Sequence, residues 1–196
     1  AIPAAERQAL IDLYNAPNGD SWTNKTNWKS GGEFTPSGTE HLWYGITIPF
    51  PYDHVTGIDL SANNLVGTLP TSIGNLTLLT SLNLHSNSLG GTLPTELGNL
   101  VNLTVLHLYS NSLTGSLPSS LGNLTHLTHF SAYYNGLGGA IPSSLGTMSS
   151  LQYLYLHNNA FTGGLPTQLG SLAALLVLDV HSNSLTGTLP TSLGNL

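Results

Sequence analysis

From Val55 to Leu196 the apolar positions recur in one order: an aliphatic residue, then x-x-L-x-L-x-x-N-x-L, then a Gly- and Pro-rich half with further leucines. Taking Val55, Leu79, Leu103, Leu127, Leu151 and Leu175 as first positions gives six copies with a period of 24 residues, the sixth stopping after 22. In every copy position nine is Asn (Asn63 through Asn183), position thirteen Gly (Gly67 through Gly187) and position sixteen Pro (Pro70 through Pro190). Alternation over positions three to seven predicts a short strand, with four and six pointing inward and three, five and seven outward. One copy cannot bury its apolar side alone, so the copies must stack, and their strands then form a parallel sheet. The Asn column reads as a structural ladder, each amide turned inward to bond backbone groups of adjacent coils. In the second half, apolar residues at positions eleven, fifteen, nineteen and twenty-two point inward while Gly and Pro set the turns. That half predicts a second short strand and a helical or 3-10 turn.

Two stretches, LTGSLPSSLGNLTHL and LTGTLPTSLGNL, resemble the plant-type leucine-rich repeat known from receptor-kinase ectodomains and polygalacturonase-inhibiting proteins, and the likeness runs through residues 55 to 196. It implies an α/β repeat solenoid: a right-handed coil with a parallel β-sheet on the concave face, and short second strands with 3-10 or helical turns on the convex side. Residues 4 to 47, from AAERQALIDLYN to WYGIT, resemble the N-terminal cap of such proteins, an amphipathic helix followed by a tryptophan-bearing loop that seals the first coil. The expected organisation is thus a cap over residues 1–54 and six repeats over 55–196. The plant cap usually has cysteines near its W-x-G-I motif. This chain has Ile48 and no cysteine, which is similar to algal, protist or bacterial members. Trp22, Trp28 and Trp43 are expected to form the cap core, because the end of a solenoid must be covered by large apolar groups. Residues 29–41, KSGGEFTPSGTEH, read as a surface loop. No C-terminal cap is visible, so a partner or a missing segment is expected to cover the inward leucines of the last coil.

Composition narrows the partners. Only 6% of the 196 residues are charged while 40% are hydrophobic, and all three basic residues (Arg7, Lys25, Lys29) lie in the first 29 positions. Nucleic acid and anionic membranes need clustered Lys and Arg, so neither fits. No apolar run is long enough to insert in a bilayer, and without cysteine there are no disulfides.

If the repeat fixes most residues for architecture, function must sit on the outward positions, which differ between copies. Position three runs Gly57, Ser81, Val105, His129, Tyr153, Val177; position five runs Asp59, Asn83, His107, Ser131, Tyr155, Asp179. Position seven runs Ser61, His85, Tyr109, Tyr133, His157, His181, and position eight Ala62, Ser86, Ser110, Tyr134, Asn158, Ser182. Five of eight histidines and five of eight tyrosines fall on these columns. With adjacent strands about 4.8 Å apart, His85, His107, Tyr109, His129, Tyr133, Tyr134, Tyr153, Tyr155, His157 and His181 would gather on the concave face as a ligand-binding patch. Such rings offer area at low entropic cost and a hydrogen-bonding tip. The alternative is that they merely suit a half-exposed strand. Copy four, FSAYYNG, departs furthest: Ala132 stands at inward position six, where other copies have Leu or Val, and Phe130 is expected to refill the space.

The resemblance implies a non-enzymatic, secreted or cell-surface recognition module for a peptide, protein or glycan, and the ring-rich patch favours it. No catalytic residue is assigned, since a flat open sheet neither shelters a nucleophile nor excludes water. Neither a cofactor nor a metal is implied; the only ligand-type grouping is His157, Asp179 and His181. Asn24, Asn75, Asn102 and Asn123 sit in Asn-x-Thr sequons, which would be glycosylation sites in a eukaryotic extracellular protein, although G-N-L-T is also the repeat's own consensus. Two further readings remain. One is an ice-binding or surface-adsorbing solenoid using the hydroxyl column at position seventeen (Thr71, Thr95, Ser119, Ser143, Thr167, Thr191), against which the position-fourteen column breaks at Ala140 and Gly164. The other is a structural wall or matrix protein, or an engineered scaffold.

Overall fold

The computed structural model describes residues 1–195. The first strands of the six repeats, Gly57–Asp59, Ser81–Asn83, Val105–His107, His129–Ser131, Tyr153–Tyr155 and Val177–Asp179, pair in parallel in chain order. Their register advances by one period per strand, Val105 facing His129 and His129 facing Tyr153. A second, six-stranded parallel sheet runs from Val66–Thr68 to Ser184–Leu185, and each repeat closes through a 3-10 turn, from Thr71–Asn75 to Thr191–Asn195. The solenoid expected from the 24-residue period is therefore present, with the inward leucines of the middle coils fully buried.

The Asn ladder carries the stacking. Asn135 Nδ2 donates to Ala132 O of its own coil (3.1 Å) and to Leu108 O of the preceding one (3.0 Å), while its Oδ1 accepts from Leu113 N (3.0 Å). Asn111, Asn159 and Asn183 repeat this arrangement. One short side chain thus satisfies buried backbone groups of two coils, which would otherwise cost about 1–3 kcal/mol each. Position thirteen is Gly because its φ is positive in every coil, from 69° to 132°. At Gly67 an added Cβ would also stand 2.3 Å from Ala16 O, a clash no side chain relieves.

The cap joins this frame at three levels. Its strand Ile46–Thr47 pairs antiparallel with Gly57–Ile58, extending the first sheet. Asn63 bonds Asn24 through both amide atoms (Nδ2 to Asn24 O, 2.8 Å; Oδ1 from Asn24 N, 2.6 Å), so the ladder continues into the cap. Helix Ala4–Asn15 buries Leu10, Leu13 and Tyr14 beside Trp22, Trp28 and Trp43, all buried and in mutual ring contact at 4.6–5.4 Å. Every indole N–H finds an acceptor, Pro17 O, Tyr44 O or Thr35 Oγ1, as buried Trp requires.

Residues 29–41 are more than the surface loop expected from their composition. Lys29–Ser30 and Glu33–Phe34 form a small hairpin, and Phe34 packs against Tyr14 and Trp43. Glu40 is buried and ion-paired with Arg7 of the helix. The Gly and Ser content signalled the turns and hid these two anchors. At the other end, where no further coil stands among the described residues, Leu189 is 76% exposed and Val180, Leu185 and Leu193 are only half-buried.

Candidate ligand-binding face

Outward positions of successive first strands are brought one above another by the parallel register, and at position seven this builds a continuous stack of rings. Centroids of His85 and Tyr109 lie 4.3 Å apart, Tyr109 and Tyr133 4.4 Å, Tyr133 and His157 4.4 Å, His157 and His181 4.6 Å, all within 11° of parallel. Five rings thus cover one another's faces. Separation is set by the strand spacing, which matches ring contact distance.

At position five the pattern is interrupted. His107 and Tyr155 flank Ser131, whose small side chain leaves room, and the result is a shallow cavity of about 380 Å³ lined by His107, Tyr109, Ser131, Tyr133, Tyr155 and His157. Ser131 is only 6% exposed, so it forms the floor rather than part of the rim. Tyr155 stands equidistant, 6.3 Å, from Tyr133 and His157 and at 76° and 86° to them. On its other side Tyr155 is parallel to Tyr153 (6.4 Å, 11°), which stacks on His129 (4.5 Å). Tyr134 packs edge-on against Tyr133 and His157 at the rim.

All ten ring residues anticipated from the sequence thus lie on one face, five of them around the cavity. Ser131 was legible only as an outward residue, and its role as floor depends on the large neighbours on both sides. Tyr134 also holds a feature the pattern did not show: position eight is left-handed in every repeat, with φ of 51° at Tyr134. Asn, which stands there in repeat five as Asn158, tolerates this more readily than a tyrosine does.

The face is electrostatically sparse. Burial holds His85 below the ordinary histidine value, and His107 is lowered by burial together with the neighbouring His85 and His129. Burial, with Tyr109 beside it, pushes the Tyr133 phenol up. The His85, His107 and Tyr133 rings are accordingly uncharged near pH 7. Carboxylates stand at both ends of the position-five column, Asp59 in the first repeat and Asp179 in the last. At Asp179 burial works upward, but hydrogen bonds from the His181 ring and backbone and the nearness of His157 and His181 bring the carboxyl below its usual range. His181 Nδ1 lies 2.5 Å from Asp179 Oδ1. His157 Nδ1 is 3.2 Å from Oδ2 yet is not aligned for a hydrogen bond, and the atom is buried without a partner.

Of the four sequons, Asn75 and Asn123 are exposed. Asn24 accepts from Thr26 N and Oγ1, and Asn102 Nδ2 donates to Thr77 O (2.8 Å), so both amides are engaged.

The Leucine Rich Repeat family model matches residues 54–76, 78–100, 102–124, 150–172 and 174–196. Residues 125–149, which carry His129, Tyr133 and Tyr134, fall outside these matches. No curated protein matches the chain. The LRR ectodomain of the Arabidopsis receptor kinase HAESA, solved with an N-terminally extended IDA peptide hormone, is 32% identical over 97% of this chain and 30% of its own, with a TM-score of 0.79. A plant ice-binding protein is 27% identical over 98% of this chain and 60% of its own, at 0.84. The BIR2 ectodomain from Arabidopsis thaliana is 26% identical over 95% and 96%, at 0.77. The chain spans 22–30% of the length of several receptor ectodomains that it resembles. No helix among the described residues is long and apolar enough to cross a membrane.

Proposed function

This chain belongs to the leucine-rich repeat family, and from that premise we propose that it is a non-enzymatic extracellular recognition module that binds a peptide, protein or glycan on its ring-lined face. The observation that carries this reading is the cavity over Ser131, where five aromatic or imidazole rings converge around a small side chain at the middle of the array. Tyrosine-rich concavities are suited to ligands that offer apolar surface and hydrogen-bonding groups together. The HAESA ectodomain, of similar fold and solved with a peptide hormone, supports it. The exposed Asn75 and Asn123 would carry sugar in that setting.

Binding should depend on the rings, while folding depends on the leucines and asparagines beneath them. In a screen against peptide and oligosaccharide arrays, Tyr133→Ala and Tyr155→Ala are each expected to weaken a ligand held by the native chain by about 30-fold, a hot-spot loss of about 2 kcal/mol. The melting temperature should barely change. Ligands held equally by the native chain and both variants would place recognition elsewhere and sink this reading.

A second reading rests on the convex side. Thr71, Thr95, Ser119, Ser143, Thr167 and Thr191 are all exposed at the starts of successive 3-10 turns, making a regular hydroxyl row. Similarity to a plant ice-binding protein makes ice adsorption there worth measuring. Thermal hysteresis lost on Thr95→Leu and Thr167→Leu would move the function to that row; absence of hysteresis in the native chain removes it.

A further inference from the structure

Where the ring stack ends, repeats five and six bring together three side chains of ligating chemistry. We propose that His157, Asp179 and His181 bind one divalent transition-metal ion of the zinc, nickel or copper type. The pairing of Tyr155 with Asp179 sets the carboxylate beside both position-seven imidazoles, and the three donor atoms lie within 4.8 Å of one another. Two neutral imidazoles and one carboxylate are a borderline donor set, which selects such ions over calcium or magnesium.

One observation favours coordination over a plain imidazole–carboxylate contact: His157 Nδ1 is buried with no hydrogen-bond partner, an arrangement that a bound ion would account for. The two rings also differ in freedom, which coordination requires. His157 is clamped between Tyr133 (4.4 Å) and His181 (4.6 Å), whereas His181 is the last ring of the stack, with a side chain 60% exposed. A metal lies near the plane of each imidazole it binds at about 2.0–2.1 Å, so two parallel stacked rings cannot both ligate until one tilts. His181 is the one free to do so, swinging its Nδ1 off Asp179 Oδ1 towards the ion. No lysine or arginine follows residue 29 in the chain to compete for the carboxylate. Three protein ligands leave a coordination position for water, or for a carboxylate or carbonyl of a molecule seated in the adjoining cavity, whose wall includes His157.

Tag-free protein, freed of metal by chelator dialysis, should take up about one equivalent of Zn²⁺ at pH 7.4 in a calorimetric titration. Co²⁺ should give the visible bands of a four- or five-coordinate ion. Asp179→Asn and His181→Ala should each weaken binding about tenfold or more, while His126→Ala, remote from the stack, should not. Circular dichroism melting of each variant verifies that it is folded. Affinity weaker than about 100 µM, or Zn²⁺ uptake that survives both substitutions, overturns the site and leaves the three residues as an ordinary ion-pair cluster. The titration uses the ion alone, so its failure would not touch ligand recognition by the ring patch.

Discussion

In repeat three the strand and its turn read Val105, Leu106, His107, Leu108, Tyr109, Ser110; the paired positions of repeat four read His129, Phe130, Ser131, Ala132, Tyr133, Tyr134. The backbone does not register the change. Asn111 and Asn135 make the same bonds to their own and the preceding coil, and φ at position eight is 54° in one and 51° in the other. Both inward pairs are fully buried: Leu106 with Leu108 in one coil, Phe130 with Ala132 in the next. The inner side therefore demands a total volume rather than a residue, a tolerance expected of close-packed cores. The outer side demands almost nothing, and there repeat four gives up a ring at Ser131 and gains two, His129 in place of Val105 and Tyr134 in place of Ser110, which turns a smooth ring surface into a cavity with a rim.

The sharpest way to break this comparison is through the core. Phe130→Ala should cost about 3–5 kcal/mol, towards the upper end because Ala132 contributes no side chain able to collapse into the space. Phe130→Leu with Ala132→Leu, which writes repeat three into repeat four, should come within about 1.5 kcal/mol of the native chain. Ala132→Leu alone should be strained, so the pair must show coupling in a double-mutant cycle. Urea unfolding of the native chain, Phe130→Leu, Ala132→Leu and the double variant closes the cycle; additivity would mean that Phe130 and Ala132 do not compensate each other.

A smaller effect separates the two coils by pH. His107 in repeat three is held below the ordinary histidine value by burial and by His85 and His129; its counterpart Ser131 does not titrate. Because the folded value is depressed, the unfolded chain binds the proton first on acidification. Its contribution to stability is complete above about pH 6.5 and is lost as pH falls from there through the folded value. His107 should thus lower the melting temperature between pH 7.5 and 5.5, against the opposite slope from His54, whose pKa is raised by its hydrogen bond to Glu6, and His107→Ser should remove the His107 share. Some slope should persist, since His85 is shifted in the same direction. Parallel curves for the two proteins would show that burial of His107 carries no proton linkage.

What the sequence disclosed follows the same division. Period, Asn ladder, inward leucines and the phase of the outward columns were all legible, because each is repeated and repetition exposes geometry. Phe130 opposite Ala132 could be inferred, since an absent leucine in a periodic core is visible as an absence. Three things were not legible. Ser131 as a cavity floor depends on rings belonging to adjacent coils. Phe34 and Glu40 anchor the cap through contacts to Trp43 and Arg7 that no period announces. The left-handed φ at position eight was masked by Ser, Ala and Asn, which do not reveal a backbone requirement as glycine at position thirteen does.

That last feature supplies the finest test. Tyr134 and Ser110 occupy the same left-handed turn, so Asn, which enters that region more easily, should relieve about the same backbone strain at either site, up to about 1 kcal/mol. The two differ in what the side chain touches. Ser110→Asn gives up little, whereas Tyr134→Asn forfeits edge contacts with Tyr133 at 5.7 Å and His157 at 5.8 Å, each worth about 0.5–1.5 kcal/mol when well packed. Tyr134 is 56% exposed, which places those contacts at the weak end. Ser110→Asn should therefore stabilise more than Tyr134→Asn, by about 1 kcal/mol, in paired thermal melts. If instead Tyr134→Asn stabilises more, the tyrosine is a net burden on the fold, and the ring is held there against the backbone's preference for the sake of what the rim contacts.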